Sequence, residues 1–302
     1  MTQYYSYGGL AMFHIITDTS ANLPTRLLKE NDVEVIPFSY FVDGEPAACP
    51  ATEGFDGKKF FSMMREGAKV TTSQINTALY ISFMRPILAR GEDILFVGMS
   101  SGISGAFSSA RMAAKELEKE FPKSKIRLVD TLGASLGEGL LVLKAVRARL
   151  KGVTIDEIYN KLLSLRHRLC NVFTVENLKY LRNTGRLSNW KSFVGNLLHI
   201  KPLLKGNENG KIVAFDKIIG RKKSIEALAE RYDEYVDHPE IQTVGIAHAD
   251  CLEDAERLSE LLKKNNPPKE IMTVCYEPVT GSHVGPGTLA LFFEAKDGCR
   301  KM

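Results

Sequence analysis

Apolar and polar positions alternate along this chain in a repeating strand, loop and helix pattern. Phe13 to Thr17 predicts a short strand ending at Asp18, and a polar turn follows in which Asn22 reads as a helix N-cap and Pro24 as a first-turn residue. Val33 to Val42 predicts a second strand, closed by the turn pair Asp43-Gly44, and a helix around Phe55 to Glu66 follows with Phe60, Phe61 and Met64 on one face. Next comes a hydroxyl-rich stretch from Val70 to Asn76, where Thr72 or Ser73 reads as the cap of a helix carrying Leu79, Phe83 and Leu88. Ile94 to Met99 predicts a buried strand that breaks into Ser100-Ser101-Gly102 and Ser104-Gly105, with a helix from Ala106. Ile126 to Val129 predicts another strand, ending in Asp130-Thr131, and Gly133 to Gly139 opens a long helix to about Lys151. A further helix spans Ile155 to Leu165. These alternations predict a Rossmann-like α/β part with a parallel sheet and sites at the C-terminal ends of its strands.

From about Asn171 the rhythm changes. Val172 to Val175 predicts a strand, Leu178 to Leu181 a short helical piece, Phe193 to Leu198 an apolar helix segment, and Ile200 to Leu204 another strand. Asn209-Gly210 is a strong hairpin signal, returning along Lys211 to Ile219. A helix from about Gly220 to Val236, a strand from Val244 ending at His248-Ala249-Asp250, a helix Leu252 to Leu262, and strands Ile271 to Tyr276 and Leu289 to Glu294 complete the pattern. Hairpins mixed with helices predict an α+β part with a mixed sheet. The domains expected are therefore residues 12–168 and 169–302. Residues 1–11, aromatic and Gly-rich without a signal-peptide pattern, read as an arm or cloning remnant outside the fold.

Composition narrows the function classes. The chain has 302 residues, 44% hydrophobic and 25% charged, which is a soluble globular profile. A net charge of +4, spread along the chain, does not argue for nucleic acid. No apolar run approaches the roughly 18 residues of a membrane span. The five cysteines are far apart, with no Cys-x-x-Cys pair, and read as reduced thiols in a cytoplasm. The six histidines are scattered without metal-ligand spacing, so no metal and no cofactor are expected.

Strand, Ser/Gly loop and helix at Val97 to Ala110 is a layout that leaves backbone N–H groups free at a strand end. Two readings stay open: an anion site with Ser100, Ser101, Gly102 and Ser104, or plain helix capping. No Lys follows Gly105, which excludes a P-loop, and the glycine spacing around Ser104 excludes a nucleophile elbow. Val142 stands where a dinucleotide fingerprint needs its third glycine. Asp18 either faces a site or bonds its own loop. Thr72 and Ser73 would form a second wall of an anion pocket, and Arg186, in a Gly-bearing loop, would be its counter-ion. His283 lies among Gly281, Gly285, Pro286 and Gly287, a segment expected to turn sharply. His248 and Asp250 read more readily as structural. Arg221-Lys222-Lys223 is either a solvated face or a docking point for an acidic partner. A Ser101/His283/Asp18 hydrolase can be assembled on paper, but it lacks the elbow.

Together these stretches resemble the DegV family of bacterial fatty-acid-binding proteins, which includes the FakB subunits of the fatty acid kinase system. The motifs are Ile16-Thr17-Asp18-Thr19-Ser20, Thr72-Ser73-Gln74, Ser100-Ser101-Gly102-Ile103-Ser104-Gly105, Asp130-Thr131 with Ala134-Ser135 and Gly137, Thr184-Gly185-Arg186-Leu187-Ser188, Gly220-Arg221, His248-Ala249-Asp250 and His283-Val284-Gly285-Pro286-Gly287. The resemblance runs from about Phe13 to Glu294 and implies a DegV-like two-domain fold holding a long-chain fatty acid. It implies no catalysis by this chain: a separate, FakA-like ATP-dependent kinase would phosphorylate the bound carboxylate. It assigns the carboxylate to the hydroxyls of Thr72 and Ser101, with Ser100, Arg186 and His283 near the head group, and kinase contact to Arg221. It implies no stable membrane insertion and leaves room for transient membrane contact during lipid exchange. Three departures stand out: Ile75 after Thr72-Ser73-Gln74, Asn183-Thr184 before Gly185-Arg186, and Val284 after His283. Ile75, expected near the head group, would affect acyl-chain choice. The competing reading is a dihydroxyacetone-kinase-like phosphotransferase, or its substrate-binding subunit, acting on a small hydroxyketone.

Overall fold

The computed structural model describes residues 13–49, 52–188 and 200–301. The helix segment expected at 193–198 and the arm at 1–11 lie outside these residues.

The first strands and helices are β1 (Phe13–Asp18), α1 (Thr25–Glu30), β2 (Val33–Ile36), β3 (Ser39–Val42), β4 (Glu45–Ala47), α2 (Gly57–Glu66), β5 (Val70–Ser73), α3 (Thr77–Ala89), β6 (Asp93–Gly98), α4 (Ala106–Glu120), β7 (Ile126–Asp130), α5 (Leu136–Leu150) and α6 (Ile155–Leu165). Then follow β8 (Leu169–Thr174), α7 (Lys179–Asn183), β9 (Ile200–Gly206), β10 (Ile212–Ile219), α8 (Arg221–Tyr235), β11 (Thr243–His248), α9 (Leu252–Asn265), β12 (Glu270–Cys275), α10 (Pro278–Val284) and β13 (Leu289–Glu294).

The fold is α/β. A parallel sheet runs in the order β2-β1-β6-β7, as the alternation predicts. Its central strands β1 and β6 are buried along nearly their whole length, the pattern of strands covered on both faces. A mixed sheet, β10-β9-β8-β13-β11-β12, holds the strands of the second half, with only β11 and β12 parallel. Helix α5 lies between the two sheets, packing on β1 and β6 on one side and on β8, β11 and β13 on the other. Most of its residues from Leu136 to Val146 are buried, which explains why its sequence is apolar all round.

Several local expectations are corrected. The run Val33 to Val42 is two strands, because Pro37 offers no N–H to continue the ladder; β2 stays in the parallel sheet, while β3 joins a separate antiparallel sheet, β4-β3-β5. The Asp43-Gly44 turn joins β3 to β4, with both residues at positive φ (52° and 92°). Asn22 is not an N-cap; it adopts a left-handed conformation (φ 54°) after a single 3-10 turn. Its amide donates to Ser135 Oγ and accepts from the Glu277 N–H, tying three distant segments together. Helix α3 is capped by Asn76, whose side chain accepts from Leu79 N, and not by Thr72 or Ser73, which belong to strand β5. The segment around His283 is a short helix, and the sharp turning comes only at Gly285 and Gly287 (φ 84° and 75°).

Candidate functional site

A cavity of about 340 Å³ opens among the C-terminal end of β6, strand β5, the loop after β7, hairpin β9–β10 and helix α10. Its apolar lining includes Met99, Ile103, Leu132, Phe173, Ile212 and Phe292. Polar side chains gather in part of the wall: Thr72, Gln74, Ser104, Arg186 and His283. The volume and the apolar-with-few-polar character fit a small-molecule site.

Strand period places Thr72 there. Along β5, Thr72 is half-buried while Thr71 and Ser73 on the opposite face are exposed. Thr72 Oγ1 lies 2.9 Å from His283 Nε2. His283 stands in the last turn of α10, whose N-terminus is capped by Glu277 accepting from Val279 N and Thr280 N. The other ring nitrogen, Nδ1, is buried with no hydrogen-bond partner. Burial, reinforced by the nearby Arg186 charge, pushes the imidazole down to about 4, so it is neutral at pH 7.

Arg186 follows Gly185 (φ 72°), and its backbone N–H returns to Leu181 O to close α7. The guanidinium donates to Thr184 O at 2.5 Å and to Ile103 O at 3.4 Å. Among the described residues no carboxylate forms an ion pair with it, and burial lowers its pKa. A half-buried cation held only by carbonyls favours an anionic ligand beside it.

Most amides of the Ser/Gly loop, which its layout suggests are free, are taken by the protein itself. Met99 N donates to Asp18 Oδ2, Ser100 N to Gly133 O, Ser101 N to Asp130 Oδ1, and Gly102 N to Ser100 Oγ. Ile103 N and Ser104 N both donate to Ser100 O, and Ala106 N to Ser104 Oγ. The protein's own carboxylates, Asp18 and Asp130, take the places an anion would have. Hydroxyl directions follow. Ser101 is exposed, donates to Asp130 Oδ2 at 2.5 Å and does not line the cavity; Ser100 is buried and donates to Gly210 O at 2.9 Å. Ser104 is the serine of this loop that lines the cavity.

Other expected residues fall elsewhere. Asp18 is fully buried, accepting from Ser20 and Met99, with Ser20 also donating to Glu138 at 2.6 Å. Burial raises the pKa of Asp18, and that of Glu138 well above its usual value. Ser101, His283 and Asp18 each have different partners, so the hydrolase triad is not assembled. Ser73, Gly102 and Ile75 do not line the cavity. His248 accepts from Cys251 N at 3.4 Å, and Asp250 pairs with Arg65, both structural contacts. Arg221 is half-buried, bound to Asp254 at 2.8 Å and to Cys251 Sγ, leaving Lys222 and Lys223 as the exposed cations.

Ala134-Ser135 stands among the sequence motifs without a site role; the loop from Leu132 to Ser135 lines the cavity and contains two non-glycine residues at positive φ, Leu132 (55°) and Ser135 (54°). It is pinned by Arg300 donating to Leu132 O and by Ser100 N on Gly133 O. Sequence reading missed how the hairpin closes the site. A Cβ on Gly102 would stand 2.5 Å from Asn209 O, and one on Gly210 would stand 2.1 Å from Ser100 Oγ. The Asn209-Gly210 turn signal carried this role only in part.

Among the described residues, no group of three His, Cys, Asp or Glu is placed to hold a metal ion, and no helix is long and apolar enough to cross a membrane.

Comparison with known proteins places the chain in a family and matches its fold. The sequence profile of the DegV family, described as uncharacterised proteins, matches residues 12–296. A DegV domain-containing protein of Clostridium perfringens is 37% identical over 281 residues, covering 93% of this chain and 97% of its own. A DegV family protein from Thermus thermophilus, whose structure is described for fatty acid binding, superposes with a TM-score of 0.85 at 26% identity, covering 94% of this chain and 100% of its own. The fatty acid binding DegV family protein of Streptococcus agalactiae superposes with a TM-score of 0.81 at 29% identity, covering 94% and 99%.

Proposed function

The chain belongs to the DegV family, and from that premise we propose that it binds one long-chain fatty acid and presents the carboxylate to a separate ATP-dependent kinase. The observation that carries the binding half is the cavity itself: an apolar chamber whose polar wall holds Thr72, Ser104 and His283 beside a guanidinium with no carboxylate partner among the described residues. A carboxylate there would accept from Arg186 and from the Thr72 and Ser104 hydroxyls, with the neutral His283 ring donating its Nε2–H to Thr72 Oγ1. Ser104 takes the role first assigned to Ser101, because the Ser101 hydroxyl is engaged by Asp130. The apolar lining removes the tail from water, at about 0.8 kcal/mol per buried methylene. A small hydroxyketone would leave that lining uncovered.

The role is that of a carrier, and chemistry on the bound acid belongs to the partner. Arg221, tied to Asp254, would order the start of α8 while Lys222 and Lys223 meet the kinase. Native mass spectrometry of the purified protein, followed by denaturation and lipid analysis, tests the reading. One fatty acid per chain is the expected result. A bare mass that stays bare after incubation with several long-chain acids would overturn it. Mixing the loaded protein with a FakA-like kinase and ATP, and assaying acyl-phosphate, tests the second half.

A further inference from the structure

A second cavity, also of about 340 Å³, lies against the first. Phe38 and Val279 line both, so they form the wall between them. Beyond that wall the lining is mainly carbon, from Leu23, Leu28, Val35, Tyr40 and Ala47. Its carboxylates and amide are already engaged. Asp18 accepts from Ser20 and Met99, Glu277 from Val279 and Thr280, and the Asn22 amide bridges Ser135 and Glu277. A wall whose charged and amide groups are engaged favours an apolar occupant.

The two partition residues differ in freedom. Val279 is β-branched and sits in the first turn of α10 with its N–H on Glu277, which fixes it. Phe38 lies in the two-residue connection between β2 and β3, strands of two different sheets, and its backbone N–H is held by Thr19 Oγ1 at 3.1 Å. The backbone is anchored, and the buried ring contributes to both chambers through its side-chain torsions alone. Each chamber alone is at the small end of the roughly 300–1,000 Å³ of ligand sites. An acyl chain with its carboxylate at Thr72 that passes this wall gains the apolar lining of the second chamber.

Resting on the fatty-acid reading above, we infer that the second cavity receives the far end of long acyl chains, and that Phe38 is the specificity-determining residue, turned aside by long chains and left in place by short ones. The test measures affinity for lauric and stearic acids by titration calorimetry on wild type, Phe38→Ala and Ala47→Phe. Ala47 is on the far wall, on a short and partly exposed strand, so the larger side chain fills the chamber without entering the core. Ala47→Phe is expected to weaken stearate at least about tenfold, the worth of roughly two buried methylenes, and to leave laurate unchanged. Phe38→Ala is expected to strengthen stearate relative to laurate. Wild type binding both acids, with neither variant changing their ratio, would overturn the inference alone. Wild type binding neither acid would overturn the fatty-acid reading itself.

Discussion

Thr72 Oγ1 and His283 Nε2 meet at 2.9 Å although 211 residues separate them in the chain. One stands on a strand of the small antiparallel sheet and the other on the last turn of α10, so this contact joins two separately built walls of the cavity. Because His283 acts on the ligand through the Thr72 hydroxyl in the proposed complex, their effects on binding should not add. Thr72→Val and His283→Gln are each expected to weaken fatty-acid affinity by about 1–3 kcal/mol, with the double variant losing less than the sum. A double-mutant cycle by calorimetry measures this; strict additivity would separate the two residues.

Ser101 and Ser104 make a matched pair for testing which serine faces the ligand. Ser104→Ala is expected to cost about 1 kcal/mol of binding. Ser101→Ala should leave affinity unchanged and lower thermal stability slightly, since its hydroxyl serves Asp130. The reverse pattern would restore the head-group role to Ser101.

Replacing Arg186 by Met should reduce affinity by about 1.5–3 kcal/mol, the range of a hydrogen bond to a charged group. Arg186→Lys keeps the charge but not the fork that reaches Thr184 O and Ile103 O, and is expected to recover only part of the loss. Full affinity in the Met variant would remove the cation from the site.

Stability should also carry the mark of Glu277. Burial raises its pKa from 4.5 to about 7, a difference worth roughly 3 kcal/mol. A raised folded-state value means that the native state holds the proton more tightly than the unfolded chain. The contribution is therefore complete below pH 4.5 and is lost as pH rises through about 7. Asp18 and Glu138, also raised by burial, act in the same direction. His283, lowered from 6.5 to about 4, acts in the opposite one, its contribution complete above 6.5 and lost as pH falls through 4. Denaturant melts from pH 4 to 8 should show a shallower decline toward high pH in Glu277→Gln than in wild type; parallel curves would sink the assignment.

Gly210→Ala should destabilise the chain by about 1–3 kcal/mol, because φ is +67° and the new Cβ would meet Ser100 Oγ. Thermal melts measure the loss. A neutral outcome would mean that the hairpin tip is not seated on the Ser loop.

The alternation of apolar runs was enough to read the parallel sheet, since each buried strand and each amphipathic helix records its own burial. Hairpin β9–β10 was legible from Asn209-Gly210, because its turn chemistry is local. Asn22 and the break at Pro37-Phe38 were misread for one reason: their conformations are set by partners far away, Ser135 and Glu277 in one case and a change of sheet in the other. The cavity residues divide in the same way. Arg186 and His283 stand beside glycines that mark their turns, so they could be singled out. Which serine faces inward could not, since Asp130 and Gly210 capture two of them only after the strands are assembled.

The tip of that hairpin has a consequence for folding. Gly210 closes over Ser100, and helix α10 brings His283 to Thr72, so each contact joins segments more than a hundred residues apart. In the proposed complex neither wall alone holds the ligand, and fatty-acid binding would report that both long-range contacts have formed.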